Sequence, residues 1–354
     1  MSDAKARPSR SGANPNLVDV ARLAGVSRGT VSNVLNYPEK VQAATFEKVQ
    51  QAISELGYVR NDAARSLAAG RSASLGFVLP NIENSLFVDM IYGAQEASTD
   101  TGLSVLVGNS ADSSVRQDAY LNLFDEARVA GVLLAPMEDS SAGIQRMRAH
   151  GRQTVLLNFN PLDQDCCVVL ADNEMVGYLA AKHLIELGRR RIAYVAGKDN
   201  WQPVHARRLG VRRAVAEAGR SVTLQEVETP SIDFDDGLGY GDRYLATPVG
   251  ERPDGIVAVT DVIANGFLER IQLHGVSVPG EVAVVGCENN RSALRGSLAL
   301  TTVDSPGREM GVAATSMLLE EIATSSNEHQ HRVLTFPARL VARESTLGRG
   351  RGSR

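Results

Sequence analysis

Cysteine, aromatic residues and long apolar runs are all scarce in this chain of 354 residues. The three cysteines, Cys166, Cys167 and Cys287, form no C-x-x-C pair and no zinc-like spacing, which points to a reduced, cytoplasmic setting rather than a disulfide framework. No stretch approaches the ~18 apolar residues of a membrane span. Residues 1–15 carry Lys5, Arg7 and Arg10 among Ser, Pro, Gly and Asn but no apolar run, so they read as a disordered basic arm and not a signal peptide or membrane anchor. G-x-S-x-G, H-E-x-x-H and Walker patterns are missing too, and no catalytic residue or cofactor is assigned. Two weak motifs remain. Gly237-Leu-Gly-Tyr-Gly241 lacks the preceding strand of a nucleotide loop, and Glu328-His-Gln-His331 sits in a Ser- and Asn-rich connection that reads as solvated, so no metal is assigned.

Charge is distributed unevenly. Residues 1–71 hold ten Lys or Arg against six Asp or Glu, and the remainder holds 27 against 35. A basic head on an acidic body suits phosphate binding by the head alone.

That head contains a helix-turn-helix. Leu17, Val20, Ala21 and Ala24 recur at helical spacing, as do Val31, Val34 and Leu35, so each helix turns one apolar stripe toward a small common core. Gly25 supplies the turn, and Ser27 stands at the N-cap of the second helix. The outward side chains suit base reading: an arginine pairs with guanine O6 and N7, an asparagine with adenine N6 and N7. Arg28, Gly29 and Asn33 are therefore the expected base-reading positions, and Ser27, Thr30 and Ser32 the expected backbone contacts. A third helix is expected at about Ala43–Leu56, and a short one from Asn61 to Gly70.

From Ser74 onward, apolar strands alternate with amphipathic helices. Strands are expected at 75–79, 104–108, 131–135 and 154–158, then at 192–196, 256–260 and 282–285. Helices are expected at 87–101, 174–187, 205–218 and 262–274. Two such series imply two doubly wound parallel-sheet lobes with a ligand crevice at the strand ends.

The chain resembles the LacI/GalR family of bacterial transcription regulators. The resemblance is carried by Asp19-Val-Ala-Arg-Leu-Ala-Gly-Val-Ser27, Thr30-Val-Ser-Asn-Val-Leu-Asn36, Ala64-Arg-Ser-Leu67, Asp172-Asn173, Arg191 to Gly197, Val282 to Gly286, Leu300 to Val303 and Arg343 to Thr346. It implies an all-α head (16–58) plus hinge helix (59–71), joined to an α/β body (72–345) resembling periplasmic binding proteins. The first lobe is expected at about 72–160 and 291–325, the second at about 161–290 and 326–345, with a disordered tail over 346–354. It also implies a homodimer on the double-stranded DNA of a near-palindromic operator, with Asn61, Ala64 and Leu67 of the hinge in the minor groove, where an apolar wedge bends the duplex. Asn33 stands where arginine is frequent, Gln42 where a capping serine is common and Arg60 where proline is usual.

The same resemblance places a small-molecule effector between the lobes, against Asn84, Phe87, Asn158, Trp201, Arg207, Asp261 and Glu288. These residues offer acceptors, an arginine fork and aromatic faces of the kind a sugar needs. Asp261 reads equally as a helix N-cap, Glu288 as a surface partner of an arginine, and Trp201 as a core residue. The expected activity is repression of a carbohydrate operon by a cytoplasmic, nucleoid-associated regulator. Control by a protein co-regulator or a purine is the alternative, and a sugar-binding protein or enzyme a further one.

Overall fold

A computed structural model describes residues 15–58, 72–161, 166–324 and 329–348. It divides into a head and a body, within residues 1–69 and 70–354. The hinge residues Asn61, Ala64 and Leu67 and the basic arm before Pro15 lie outside the described residues. Among those described, no helix is long and apolar enough to cross a membrane.

Among the described residues, the head has three α-helices: α1 (Leu17–Ala24), α2 (Arg28–Asn36) and α3 (Ala43–Leu56). Asn16 caps α1 in a reciprocal box with Asp19, which satisfies donors that the first helical turn leaves free. Gly25 ends α1 at φ 66°, a left-handed conformation that a side chain disfavours. Val20, Ala21, Val31, Val34, Val49 and Ala52 form the core, as the helical spacing predicts. Gln42 precedes α3 without a capping hydrogen bond from its side chain.

Among the described residues, the body has two six-stranded sheets. The first comprises β1 (Ser74–Leu79), β2 (Ser104–Asn109), β3 (Gly131–Leu134), β4 (Gln153–Leu157), β5 (Cys167–Ala171) and β11 (Val333–Phe336), in the order β11-β5-β4-β3-β1-β2 and parallel throughout. In the second, β6 (Arg191–Ala196), β7 (Thr223–Glu228), β8 (Gly255–Ala258), β9 (Ala283–Glu288), β10 (Thr301–Asp304) and β12 (Arg339–Val341) run in the order β12-β10-β9-β8-β6-β7. Only β12 is antiparallel to its neighbour. Alternate residues of β1 enter separate apolar clusters, Leu75, Phe77 and Leu79 one and Val78 the other, as expected of a sheet covered on both faces.

The covering helices are α4 (Ser85–Ser98), α5 (Ser114–Glu126) and α6 (Ser141–Ala149), then α7 (Asn173–Glu186), α8 (Gln202–Ala218), α9 (Phe234–Ala246) and α10 (Asp261–Leu273). A four-residue α11 (Ser292–Arg295), the long α12 (Gly307–Ala323) and a terminal α13 (Glu344–Leu347) complete the body. The glycines at 237, 239 and 241 lie inside α9, not in a nucleotide loop. Where α7 crosses α8, a Cβ on Gly210 would come 1.9 Å from the Glu174 carbonyl oxygen. Since backbone cannot yield as a side-chain tip does, Gly210→Ala is expected to destabilise the body by about 1–3 kcal/mol. Urea unfolding followed by circular dichroism checks this, and an unchanged midpoint would contradict it.

The lobe boundaries differ from those expected from sequence. Strand β5 belongs to the first sheet and β10 to the second, while β11 returns to the first. The chain therefore crosses between lobes after Ala171, after Asp304 and after Phe336, rather than near 160, 290 and 325. Sheet membership is decided by lateral hydrogen bonding, which apolar periodicity does not encode. The expected tail also starts too early. Ser345 and Thr346 are buried, and Thr346 Oγ1 lies 2.7 Å from Thr301 Oγ1 and 2.9 Å from His183 Nε2.

Candidate functional site

In the head, Ser27 caps α2 by accepting from the Thr30 backbone N–H at 3.0 Å, and its hydroxyl also meets the Thr30 hydroxyl at 2.9 Å. Ser32 Oγ accepts from Asn36 Nδ2 at 3.1 Å. The three hydroxyl residues expected to meet the DNA backbone thus have partners within the head. Arg28, Gly29 and Asn33 are exposed, and α2 with its cap carries no carboxylate. A Cβ at Gly29 would meet only Ser27 Oγ, at 3.7 Å. The head itself has room there for a side chain.

In the body, five of the seven expected effector residues are joined by one buried polar network. Asn158, just after β4, accepts from Asn173 Nδ2 at 2.7 Å, and Asn173 Oδ1 accepts from Arg207 Nε at 2.9 Å. Arg207, from α8, lies 3.4 Å from Glu288 at the end of β9. Glu288 Oε1 accepts from Asn84 Nδ2 at 3.1 Å, and Oε2 from Asn290 Nδ2 at 3.0 Å. Asn290 N in turn donates to Asp261 Oδ2 at 3.0 Å, and Thr302 donates to Oδ1 at 2.6 Å. Asn84 and Asn158 belong to the first lobe, Arg207, Asp261 and Glu288 to the second, so the network bridges the two. Asn173 and Asn290, which link it, are absent from the sequence-based set. Asn173 is part of the Asp172-Asn173 match; nothing in the sequence marks Asn290.

The structure places the residues that also had plainer readings. Thr260, not Asp261, caps α10, accepting from the Ile263 N–H at 3.3 Å. Glu288 does pair with an arginine, but both side chains are only 3% exposed. Such a pair survives burial because further hydrogen bonds satisfy its remaining atoms. Phe87 packs into the core of the first lobe. Trp201 packs in the second-lobe core and also lines a cavity of about 50 Å³ with Ser110, Asp112, Gln117, Met137 and Glu138 of the first lobe.

Burial pushes the Asp261 carboxyl up to about 6 and that of Glu288 up to about 7, although Arg207 pulls both down. Burial, then the nearby Asp233 charge, raises Asp112 to about 6. A raised carboxyl keeps its proton in the folded state over a range where the unfolded chain has lost it. Its contribution to stability is thus complete at low pH and is lost as pH rises toward 7. Glu288→Gln, which cannot ionise, is expected to flatten this decline. Thermal midpoints of parent and variant at pH 5 and pH 8 test it; equal slopes would exclude Glu288 as a source.

Comparison with known proteins agrees with this architecture. Residues 16–61 match the model for bacterial regulatory proteins of the lacI family, and residues 181–346 match that for a periplasmic binding protein-like domain. The HTH-type transcriptional repressor PurR of Vibrio parahaemolyticus is 31% identical over 329 residues, 92% of this chain and 97% of that one. The structure of the transcriptional regulator CelR–cellobiose complex is 27% identical with a TM-score of 0.68, covering 94% of this chain and 99% of that one. The lac repressor dimer bound to operator and the anti-inducer ONPF shares the fold, with a TM-score of 0.76 at 23% identity over 95% of this chain and 100% of that one.

Proposed function

Because this chain belongs to the lacI family of bacterial regulatory proteins, we propose that it is a transcriptional repressor, a homodimer on a near-palindromic operator, switched by a small molecule between its lobes. The observation that carries this reading is the capped, carboxylate-free face of α2, on which Arg28, Gly29 and Asn33 stand exposed. Arg28 and Asn33 read base edges, Gly29 admits close approach, and Ser27, Thr30 and Ser32 meet phosphates. The hinge positions Asn61, Ala64 and Leu67 enter the minor groove.

Dimerisation is supported by a groove of about 810 Å³ lined by Glu83, Val88, Val262, Leu273 and Arg291 among others. Leu273 is 74% exposed, and Leu294, on the same short helix as Ser292 of the groove, is 67% exposed. Exposed leucines at and beside a groove of this size suit an association surface.

The effector acts through the lobe-bridging network. Ligand sites usually enclose about 300–1,000 Å³, far more than the cavity beside Trp201. An effector therefore enters as the lobes part, exchanging its own groups for the Asn84–Glu288 and Asn158–Asn173 hydrogen bonds. An equilibrium between lobe arrangements shifts only by the ligand's differential affinity for them, and this exchange supplies it. Asp112 lines the cavity and Glu288 stands in the lobe-bridging network beside the Arg207 fork, a set that suits the many hydroxyl donors of a sugar, and the similar CelR structure carries cellobiose. A nitrogen heterocycle stacked on Trp201 beside Asp112 is the second reading.

Thermal-shift screening of the full chain with mono- and disaccharides and with purine bases tests this part, because a ligand at about 100 times its Kd adds ~2.7 kcal/mol of stability. A sugar that raises the midpoint and changes operator affinity supports the proposal. A purine that does both, with sugars inert, replaces the sugar reading.

A further inference from the structure

The Glu328-His-Gln-His331 stretch does not read true as a solvated connection. Glu328 lies outside the described residues, but the side chains of His329 and His331 are only 9% and 19% exposed. They enter β11 beside the first residue of β5, because Val168 N donates to Arg332 O at 2.9 Å and Val333 pairs with Val168. That register brings both imidazoles onto Cys167, which is fully buried, and onto Glu321 near the end of α12, itself 5% exposed.

We propose that Cys167, Glu321, His329 and His331 form a four-ligand site for a thiophilic divalent transition-metal ion, zinc being the best match. The geometry fits. One ligand atom from each residue lies within 4.8 Å of all the others. Cys167 Sγ is 3.2 Å from His329 Nε2 and 4.0 Å from His331 Nδ1, while Glu321 Oε2 is 3.8 Å from His329 Nε2 and Oε1 is 3.9 Å from His331 Nδ1. Tetrahedral zinc bonds of about 2.0–2.3 Å place ligand atoms roughly 3.3–3.8 Å apart. The imidazole–carboxylate distances are too long for hydrogen bonds, and buried Glu321 Oε2 has no hydrogen-bond partner. A buried carboxylate oxygen left so is costly, and a cation in the centre of the four groups satisfies it.

The chemistry agrees with the geometry. One thiolate and one carboxylate together neutralise a dication, with two neutral imidazoles completing the set, so the occupied site carries no net charge into the interior. Sulfur and imidazole donors select zinc over magnesium or calcium, and four protein ligands make a closed, structural centre.

The site is separate from the effector cleft. Cys167 opens β5 and pairs with Val155 of β4, whereas Asn158 follows the far end of β4, three residues or about 10 Å further along the strand. The metal ties α12 and β5 to the segment that enters β11, from which the chain makes its third crossing to the second lobe.

The test uses full-length protein without a polyhistidine tag, stripped with chelator and titrated with cobalt(II) as a spectroscopic substitute and with zinc(II). One equivalent of cobalt is expected to give the intense visible bands of tetrahedral coordination with a near-ultraviolet thiolate-to-cobalt charge-transfer band, and zinc to displace it. Cys167→Ser removes the charge-transfer band, and His331→Gln, at the most exposed ligand, weakens binding about tenfold or more while the apo protein's circular dichroism stays unchanged. No stoichiometric uptake, uptake without the thiolate band, or equal affinity in His331→Gln would each overturn the proposal and leave the four groups a polar cluster.

Discussion

Replacing Arg207 by alanine is expected to destabilise the body by about 3–5 kcal/mol, the range for removing one partner from a buried ion pair. Arg207 is 3% exposed and holds together groups from three chain segments: Asn173 Oδ1 at 2.9 Å, the Val259 carbonyl, and Glu288 at 3.4 Å. Its loss leaves two acceptors without a donor, opens a cavity against α7 and removes the only cation within bonding reach of Glu288 among the described residues. Glu288 then stays protonated to still higher pH, so the decline in stability moves upward in pH. The lobe-bridging chain breaks in its middle, and response to the effector is lost with it. Urea unfolding at pH 5 and pH 8, together with ligand-induced thermal shifts, distinguishes the outcomes. A variant within 1 kcal/mol of the parent that still responds to ligand would show that the network is incidental.

The second large effect is expected on DNA. Each bidentate contact to a base edge discriminates against the wrong base by about 1–3 kcal/mol, so Arg28→Ala and Asn33→Ala each relax preference at one position of every half-site. The double variant loses up to about 6 kcal/mol if the contacts are independent. Both side chains are exposed and neither is part of the head's core, so folding is unaffected. The salt dependence reports the distinction: loss of a phosphate contact flattens the slope of log K against log salt, whereas loss of a base contact leaves the slope nearly unchanged. Competition assays against single-base operator variants at two salt concentrations check this. Uniform weakening across all variants would turn Arg28 or Asn33 into a backbone contact.

How far the residues announced this structure depends on range. The head was legible because its signals are local: Ser27 as cap, Gly25 as left-handed turn, and two apolar stripes separated by that turn. The central strands were legible because Leu75–Leu79 or Ile256–Ala258 are near-continuous apolar runs. Strands β7, β10, β11 and β12 were not, since Thr223–Glu228 is a polar edge strand and the others are three or four residues with a polar one among them; Cys167–Ala171 of β5 is an apolar run that the expected strands did not include. The lobe crossings at Ala171, Asp304 and Phe336 depend on which strands pair side by side, and the return of β11 to the first sheet rests on its pairing with β5, more than a hundred positions away. The same holds within the sites. Asn84, Arg207 and Glu288 could be proposed from the family pattern, but Asn290 becomes part of the network only when β9 brings it to Asn84 Oδ1 at 3.2 Å. His329 and His331 lacked visible partners because Cys167 lies over 160 residues away.

The central claim is that the α2 face of a dimer reads a two-fold symmetric sequence under control of the inter-lobe cleft. The most direct test is to pass sheared genomic DNA over the purified full-length protein at moderate salt, sequence what is retained, and repeat with the ligand found by thermal shift. The account predicts enrichment of a near-palindromic motif whose half-sites change with Arg28→Ala or Asn33→Ala and whose retention changes with ligand. Retention without any symmetric motif, or a motif indifferent to those substitutions, would contradict it.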